Sequence, residues 1–203
     1  VQQLMDMRRL DEARAVAEES ARRFPMVPEA ELLLAAVEDA RGDQVARRAA
    51  LERCLVIDPR HPPATRALAD ALADAGALAQ ARSLMDAACE RAPLDVSNHG
   101  YRAKILIRAG DVEAALRALG DGLRLEPGYE WAWDRLTEWA ELHGAFDLAV
   151  SVADEVVAAR AESGWAHLGR ARLLCSRSSH VGDAVAALDR ALVHEPRLID
   201  AHD

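Results

Sequence analysis

The chain has 203 residues, of which 51% are hydrophobic and only 4% aromatic, and it carries a net charge of −9 with a pI near 5.3. Acidity of this size argues against a nucleic-acid surface, which needs a basic face to release counterions. No apolar run reaches the roughly 20 residues that cross a bilayer, and no signal peptide is visible, so membrane insertion is not expected and a cytoplasmic setting is.

Taken in chain order, the sequence reads as helical hairpins. Leu10, Ala13 and Pro25 fit the second half of one, so residues 1–27 form a partial unit whose first helix is already under way at Val1. Residues 28–61 carry Leu34, Ala35, Gly42 and Pro59, with Arg47 where a small residue is expected. Residues 62–95 carry Leu68, Ala69, Gly76, Ala81, Ala88 and Pro93, and 96–129 carry Ala103, Gly110, Ala115 and Pro127. In 130–161 the marks are Trp133, Leu136, Gly144, Phe146 and Ala149. The last unit, 162–198, shows Trp165, Leu168, Gly169, Ala184, Leu188, Ala191 and Pro196, and 199–202 read as the start of another first helix.

Two punctuation marks set the period. Pro25, Pro59, Pro93 and Pro127 stand 34 residues apart, and so do Gly42, Gly76, Gly110 and Gly144. Glycine supplies a left-handed helix cap, and proline ends the helix that follows. Between them the apolar spacing is helical, as in Leu68 and Leu72 or Leu84 and Ala88. Alanine, about a fifth of the chain, lets helices approach closely. The last unit departs from the pattern. Ala161 replaces the proline, Trp165 arrives two residues early, and about three extra residues enter the loop around Ser176–His180.

Six stretches at this period resemble the tetratricopeptide repeat, whose pattern is Trp-x2-Leu-Gly-x2-Tyr followed by Ala, a bulky residue, Ala and Pro. The resemblance implies an all-α, right-handed superhelix of about five helix–turn–helix units plus a partial sixth, one solenoid domain over 1–203. Unlike a natural array end, neither terminus resembles a polar capping helix, so a fragment of a longer protein is expected. In that family the first helices line a concave groove that meets a peptide or protein segment. Carried over, its positions fall on Arg66, Asp70 and Asp74, on Lys104 and Arg108, on Trp131, Asp134, Glu138 and Glu141, and on Arg170. This groove is basic in its middle and acidic around the tryptophans. Asn98 is the only asparagine, which argues against the paired asparagine–lysine clamp for a terminal carboxylate.

Chemistry of other kinds is not indicated. The histidines show no HExxH pairing, and Ser178, Ser179, His180 and Asp183 are loop neighbours rather than a triad, which is a geometry of separated residues. Gly120-Asp121-Gly122 lies mid-helix and reads as a close helix contact. Cys54, Cys89 and Cys175 share no metal-like spacing and read as buried free thiols of a reducing compartment. Trp133 and Trp165 read as structural tryptophans, Trp139 as filling a small-residue position at the repeat interface, and Trp131 as either a ligand contact or packing. The expected function is a non-enzymatic interaction scaffold for a protein or peptide, without cofactor or metal. The alternatives are the substrate-recruiting or regulatory segment of a larger enzyme, such as a peptidase or transferase, and self-assembly into a homo-oligomer through the solenoid ends.

Overall fold

The computed structural model describes residues 1–198; the further first helix expected at 199–202 lies outside them. Among the described residues the structure is helix and turn, without strand. The short α1 (Gln2–Asp6) pairs with α2 (Leu10–Arg23). Four hairpins follow: α3 (Pro28–Arg41) with α4 (Gln44–Ile57), α5 (Pro62–Asp74) with α6 (Leu78–Arg91), α7 (Val96–Arg108) with α8 (Val112–Leu125), and α9 (Glu130–Leu142) with α10 (Phe146–Ala159). The last joins α11 (Gly164–Cys175) to α12 (Val181–His194) through a 3-10 turn at Ser178–His180. The chain divides into two compact units, Val1–Ala88 and the part from Cys89 onward, with the division inside α6.

The hairpins form where the sequence places their punctuation. Gly42, Gly76, Gly110 and Gly144 hold φ between 65° and 80°, the left-handed conformation that lets a first helix stop within one residue. Asp43 and Asp111 then cap the second helices, accepting from the backbone N–H of Ala46 and Ala114 at 2.9 and 3.2 Å. Ala13, Ala81, Ala115 and Ala149, spaced at the repeat period or twice it, are fully buried where helices meet. In the second unit each helix packs on its hairpin partner, and α8 packs also on α10, α9 on α11, all in sequence order. Gly120 permits the α8–α10 contact, since a Cβ there would stand 2.5 Å from Val152 Cγ1. That agrees with the close helix contact expected of the Gly120–Gly122 stretch.

The last unit corrects the sequence reading. Helix α11 begins at Gly164, one full period after Glu130, and α12 begins at Val181, a single position beyond a full period from Phe146. The insertion is therefore smaller than the sequence suggested, and the 3-10 turn takes it up. The turn is held against α10, with the His180 ring 5.4 Å and the Arg177 guanidinium 4.3 Å from the Phe146 ring.

The tryptophan register also changes. Trp133 donates its Nε1–H to the carbonyl of Pro127 at 2.9 Å. The imidazoles of His99 and His167 make the same bond through Nε2, to Pro93 and Ala161, both at 2.9 Å. Donors and acceptors alike recur at the repeat period, so His167 continues the line of Trp133 and Trp165 continues the line of Trp131. Trp165 is accordingly half-buried against Leu168, Ala191 and Leu198 rather than a core residue like Trp133. The thiols differ from expectation as well. Cys54 is buried and donates to the carbonyl of Pro28 at 3.2 Å, but Cys89 is half-buried and Cys175, at the end of α11, is exposed.

Candidate functional site: an aromatic cleft between α7 and α9

In the second unit, α9 presents Trp131, Arg135 and Trp139 at a spacing of four, which stacks them on one face of the helix. The facing surface of α7 supplies Gly100, Tyr101 and Lys104, and Tyr129 closes the edge from the turn before α9. Together they line an open cleft of about 570 Å³. That lies within the roughly 300–1,000 Å³ of small-ligand sites.

The rings brace one another. Tyr129 and Trp131 stack at 5.7 Å with their planes 28° apart, and Trp139 meets Trp131 edge to face at 6.3 Å. Such pairs are each worth about 1 kcal/mol beyond area burial. Gly100 makes room for them, because a Cβ there would approach the Tyr129 hydroxyl to 2.8 Å and the Trp131 ring to 3.1 Å. The charges in the lining are both positive. Lys104 holds its Nζ 5.5 Å from the Tyr101 ring centroid, and Arg135 pairs with Glu138 at 2.6 Å while its Nε finds no hydrogen-bond partner.

The start of α9 differs from those of its neighbouring first helices, α7 and α11. The equivalent residues before α7 and α11, Asp95 and Ser163, cap their helices by accepting from Ser97 and Ala166. Tyr129 stands in that place and makes no side-chain cap bond. A missing cap costs about 1 kcal/mol, so the chain forgoes helix stability here for a ring that faces the cleft.

The residues expected at a groove are placed unevenly. Lys104 and Trp131 line the cleft; Trp131 is 37% exposed although its neighbours Trp133 and Trp139 are buried. Arg108, Asp134, Glu138 and Glu141 are exposed on the same two helices but outside the lining. The lining itself is cationic, and the acidic residues expected around the tryptophans lie outside it. Arg66 and Asp70 lie half-buried on α5 in the other unit, with Asp74 paired to Arg47 at 3.1 Å. Arg170 does not face this cleft. It pairs with Asp154 of α10 at 2.6 Å, beside His167 and Arg190, because α11 begins at Gly164 and the residue in the Lys104 and Glu138 register is Arg172. Arg172 approaches Glu130 at 3.6 Å. Tyr101, Tyr129, Arg135 and the glycine under them were not anticipated as site residues. Their signal was the spacing of four from Trp131 through Arg135 to Trp139.

Helical hairpins at a constant period, with glycine turns and alanine contacts, define an α-hairpin repeat protein. The tetratricopeptide repeat model matches residues 1–62 and 44–96, so that stretch of the chain carries tetratricopeptide repeats. Solved structures share the fold along most of its length. PilW, a widely conserved type IV pilus biogenesis factor, is 15% identical with a TM-score of 0.63, covering 98% of this chain and 89% of its own. TTC0263, a thermophilic tetratricopeptide-repeat protein of Thermus thermophilus, is 22% identical with a TM-score of 0.54, covering 85% and 94%. YrrB, a tetratricopeptide-repeat protein with an unusual peptide-binding site, is 13% identical with a TM-score of 0.53, covering 90% and 94%. No curated protein sequence matches. No helix of the described residues is long and apolar enough to cross a membrane, and among them no group of three metal-ligating side chains converges.

Proposed function

We propose that this protein is an interaction scaffold that holds a peptide or partner segment, and that the cleft between α7 and α9 is its principal contact. The observation that carries the reading is the exposed Trp131, braced by Tyr129 at a helix start that gives up its cap to provide the ring. Rigid, partly exposed aromatic rings beside cations are what interaction hot spots favour. The likeness in fold to YrrB, with its peptide-binding site, agrees with this use of the repeat. In this reading the protein is a scaffold, and any chemistry belongs to its partner. The free thiols suit a reducing, cytoplasmic setting.

Affinity capture from the source organism, comparing wild type with a Lys104→Glu, Trp131→Ala double variant of unchanged circular dichroism, tests the reading. The double variant should lose the captured partners. Equal capture by both proteins would move binding away from this face.

A further inference from the structure

The chemistry of the cleft specifies more than a partner in general. Resting on the scaffold reading, we infer that the cleft takes one large apolar side chain, aromatic by preference, from an internal peptide segment with a carboxylate residue next to it. Three observations lead there.

The exposed surface of the lining is mostly that of its rings and glycine floor, with polar groups the smaller part, so the inserted group is apolar. Tyr129, Trp131 and Trp139 already meet in stacked and edge-to-face pairs, and a fourth ring extends such an array at ordinary centroid spacing. A cationic ligand is disfavoured. One face of Trp131 is taken by Tyr129, and Lys104 already lies over the Tyr101 ring at 5.5 Å.

The second observation is the sign of the charge. Lys104 and Arg135 are the charged groups of the lining, in a chain whose net charge is −9. A carboxylate entering beside the rings meets Lys104 and the Arg135 guanidinium, which holds Glu138 through Nη1 but leaves its Nε without a hydrogen-bond partner. Beyond the lining, the exposed Asp134, Glu138 and Glu141 of α9 present the opposite sign. A segment acidic along its whole length is repelled there, whereas one acid beside one ring fits both regions. Specificity of this kind comes from the repulsive surround as much as from the attractive site.

The third is the form of the site. The cleft lies open on two helix faces. A side chain from the middle of an extended segment reaches it without a chain end, so a free C-terminus is not required.

Short probe peptides with acetylated and amidated ends, measured by titration calorimetry, test the inference. One carries Phe flanked by a single Glu, and companions replace Phe by Ala, Glu by Gln, or Glu by Lys. A last one frees the C-terminal carboxylate and has no acidic side chain. The Glu–Phe probe should bind, and Ala for Phe should weaken it at least about tenfold. Lys for Glu should weaken it by a similar factor, with Gln between. Trp131→Ala should weaken the Glu–Phe probe at least tenfold, Lys104→Glu should shift preference towards the Lys–Phe probe, and Arg48→Ala on α4 should change nothing. Should Trp131→Ala unfold, Gly100→Ala narrows the cleft under the same rings and should weaken the same probe.

Equal binding of the Lys–Phe or Ala probes, tightest binding of the free carboxylate, or no binding of the Glu–Phe probe would overturn the inference. If that happens while the captured partners still depend on Trp131, the scaffold reading stands and only the ligand class is wrong. If the captured partners are also indifferent to Lys104 and Trp131, both readings fall.

Discussion

In the α3–α4 hairpin of the unit Val1–Ala88, charged side chains are drawn inward and bound to one another; in the unit from Cys89 the corresponding core positions are apolar and aromatic rings reach the surface. Glu38 shows the first case. It is 2% exposed and lies between Arg14 of α2 at 2.9 Å and Arg41 of its own helix at 3.3 Å. The residues at its position in the four later repeats are Leu72, Leu106, Ala140 and Leu174, all buried. Arg47 repeats the theme, since it takes the place of a buried alanine and pairs with Asp39 and Asp74, both at 3.1 Å. The second unit keeps the apolar core and alters the helix face, where Trp131 stands in the register of Ser97 and Tyr129 in that of Asp95. A repeat thus tolerates change at either layer. Charges in the interior alter how hairpins are held, while rings on the face alter the surface the repeat presents.

The largest effect is expected where the second unit is tightest. A Cβ on Gly169 would fall within the indole of Trp133, which is fixed by its bond to the Pro127 carbonyl and by the surrounding core. Gly169→Ala should therefore destabilise by about 3 kcal/mol, at the upper end for overpacking. Thermal denaturation followed by tryptophan fluorescence measures it. A loss below about 1 kcal/mol, the lower end for overpacking, would show that the α9–α11 contact yields more readily than its geometry implies.

In the first unit the matching experiment concerns Glu38. Glu38→Ala leaves Arg14 and Arg41 without their buried partner and opens a cavity, and should cost about 3 kcal/mol. Glu38→Leu installs the residue found in three of the four later repeats. Both arginines are partly exposed, at 41% and 25%, and can turn to water, so this variant should match or exceed wild type. Urea denaturation of the pair makes the test. If leucine is as damaging as alanine, the charge itself organises this unit and the contrast between the units is deeper than a substitution in one register.

The sequence disclosed the hairpins because their punctuation depends on single residue types: glycine at a positive φ, and proline beyond a helix end. It disclosed less of the site, for reasons visible in particular residues. Trp165 and Trp133 share a side chain but not a register. The feature that marks the register, a ring N–H on the carbonyl of Pro93, Pro127 or Ala161, accepts histidine and tryptophan alike. Once Trp165 was taken as the equivalent of Trp133, the helix start moved by two and carried Arg170 with it onto the wrong face. Arg135 escaped because the groove positions of the family do not include it. Tyr129 escaped because a capping position is ordinarily read for oxygen, not for a ring. Trp131 was legible as ambiguous; what decided it was exposure beside two buried tryptophans.

The thiols extend the comparison to pH. Burial first, then the charges of Glu29, Asp58 and Glu31, push the Cys54 thiol up from 9.0 to about 11. The unfolded chain loses this proton first. Stability linked to Cys54 is therefore complete below pH 9 and declines as pH rises towards 11. Denaturation midpoints across that window should fall more steeply for wild type than for Cys54→Ala, which carries the residue found at Ala88. Parallel curves would mean that the thiol stays protonated no longer in the fold than outside it. At neutral pH an alkylating reagent should label the exposed Cys175 well before Cys54.

The smallest effect is expected at Arg47. Alanine there restores the residue of Ala13, Ala81, Ala115 and Ala149, the sites where helices pass closely. Against that gain stand two ion pairs whose carboxylates, Asp39 and Asp74, are 52% and 41% exposed. Pairs with such exposed partners contribute about 0.5 kcal/mol each. Arg47 itself is only 12% exposed, so removing it also loses packing of its aliphatic stem. These contributions nearly cancel, and Arg47→Ala should lie within about 1 kcal/mol of wild type by urea denaturation. Because Asp74 belongs to the first unit and the cleft to the second, the variant should bind the Glu–Phe probe with unchanged affinity. A loss beyond about 2 kcal/mol, more than two such ion pairs supply, would make Arg47 a structural residue of the first unit on a par with Glu38. A changed affinity would mean instead that Asp74, released from Arg47, takes part in the binding face, as its place in the repeat first suggested.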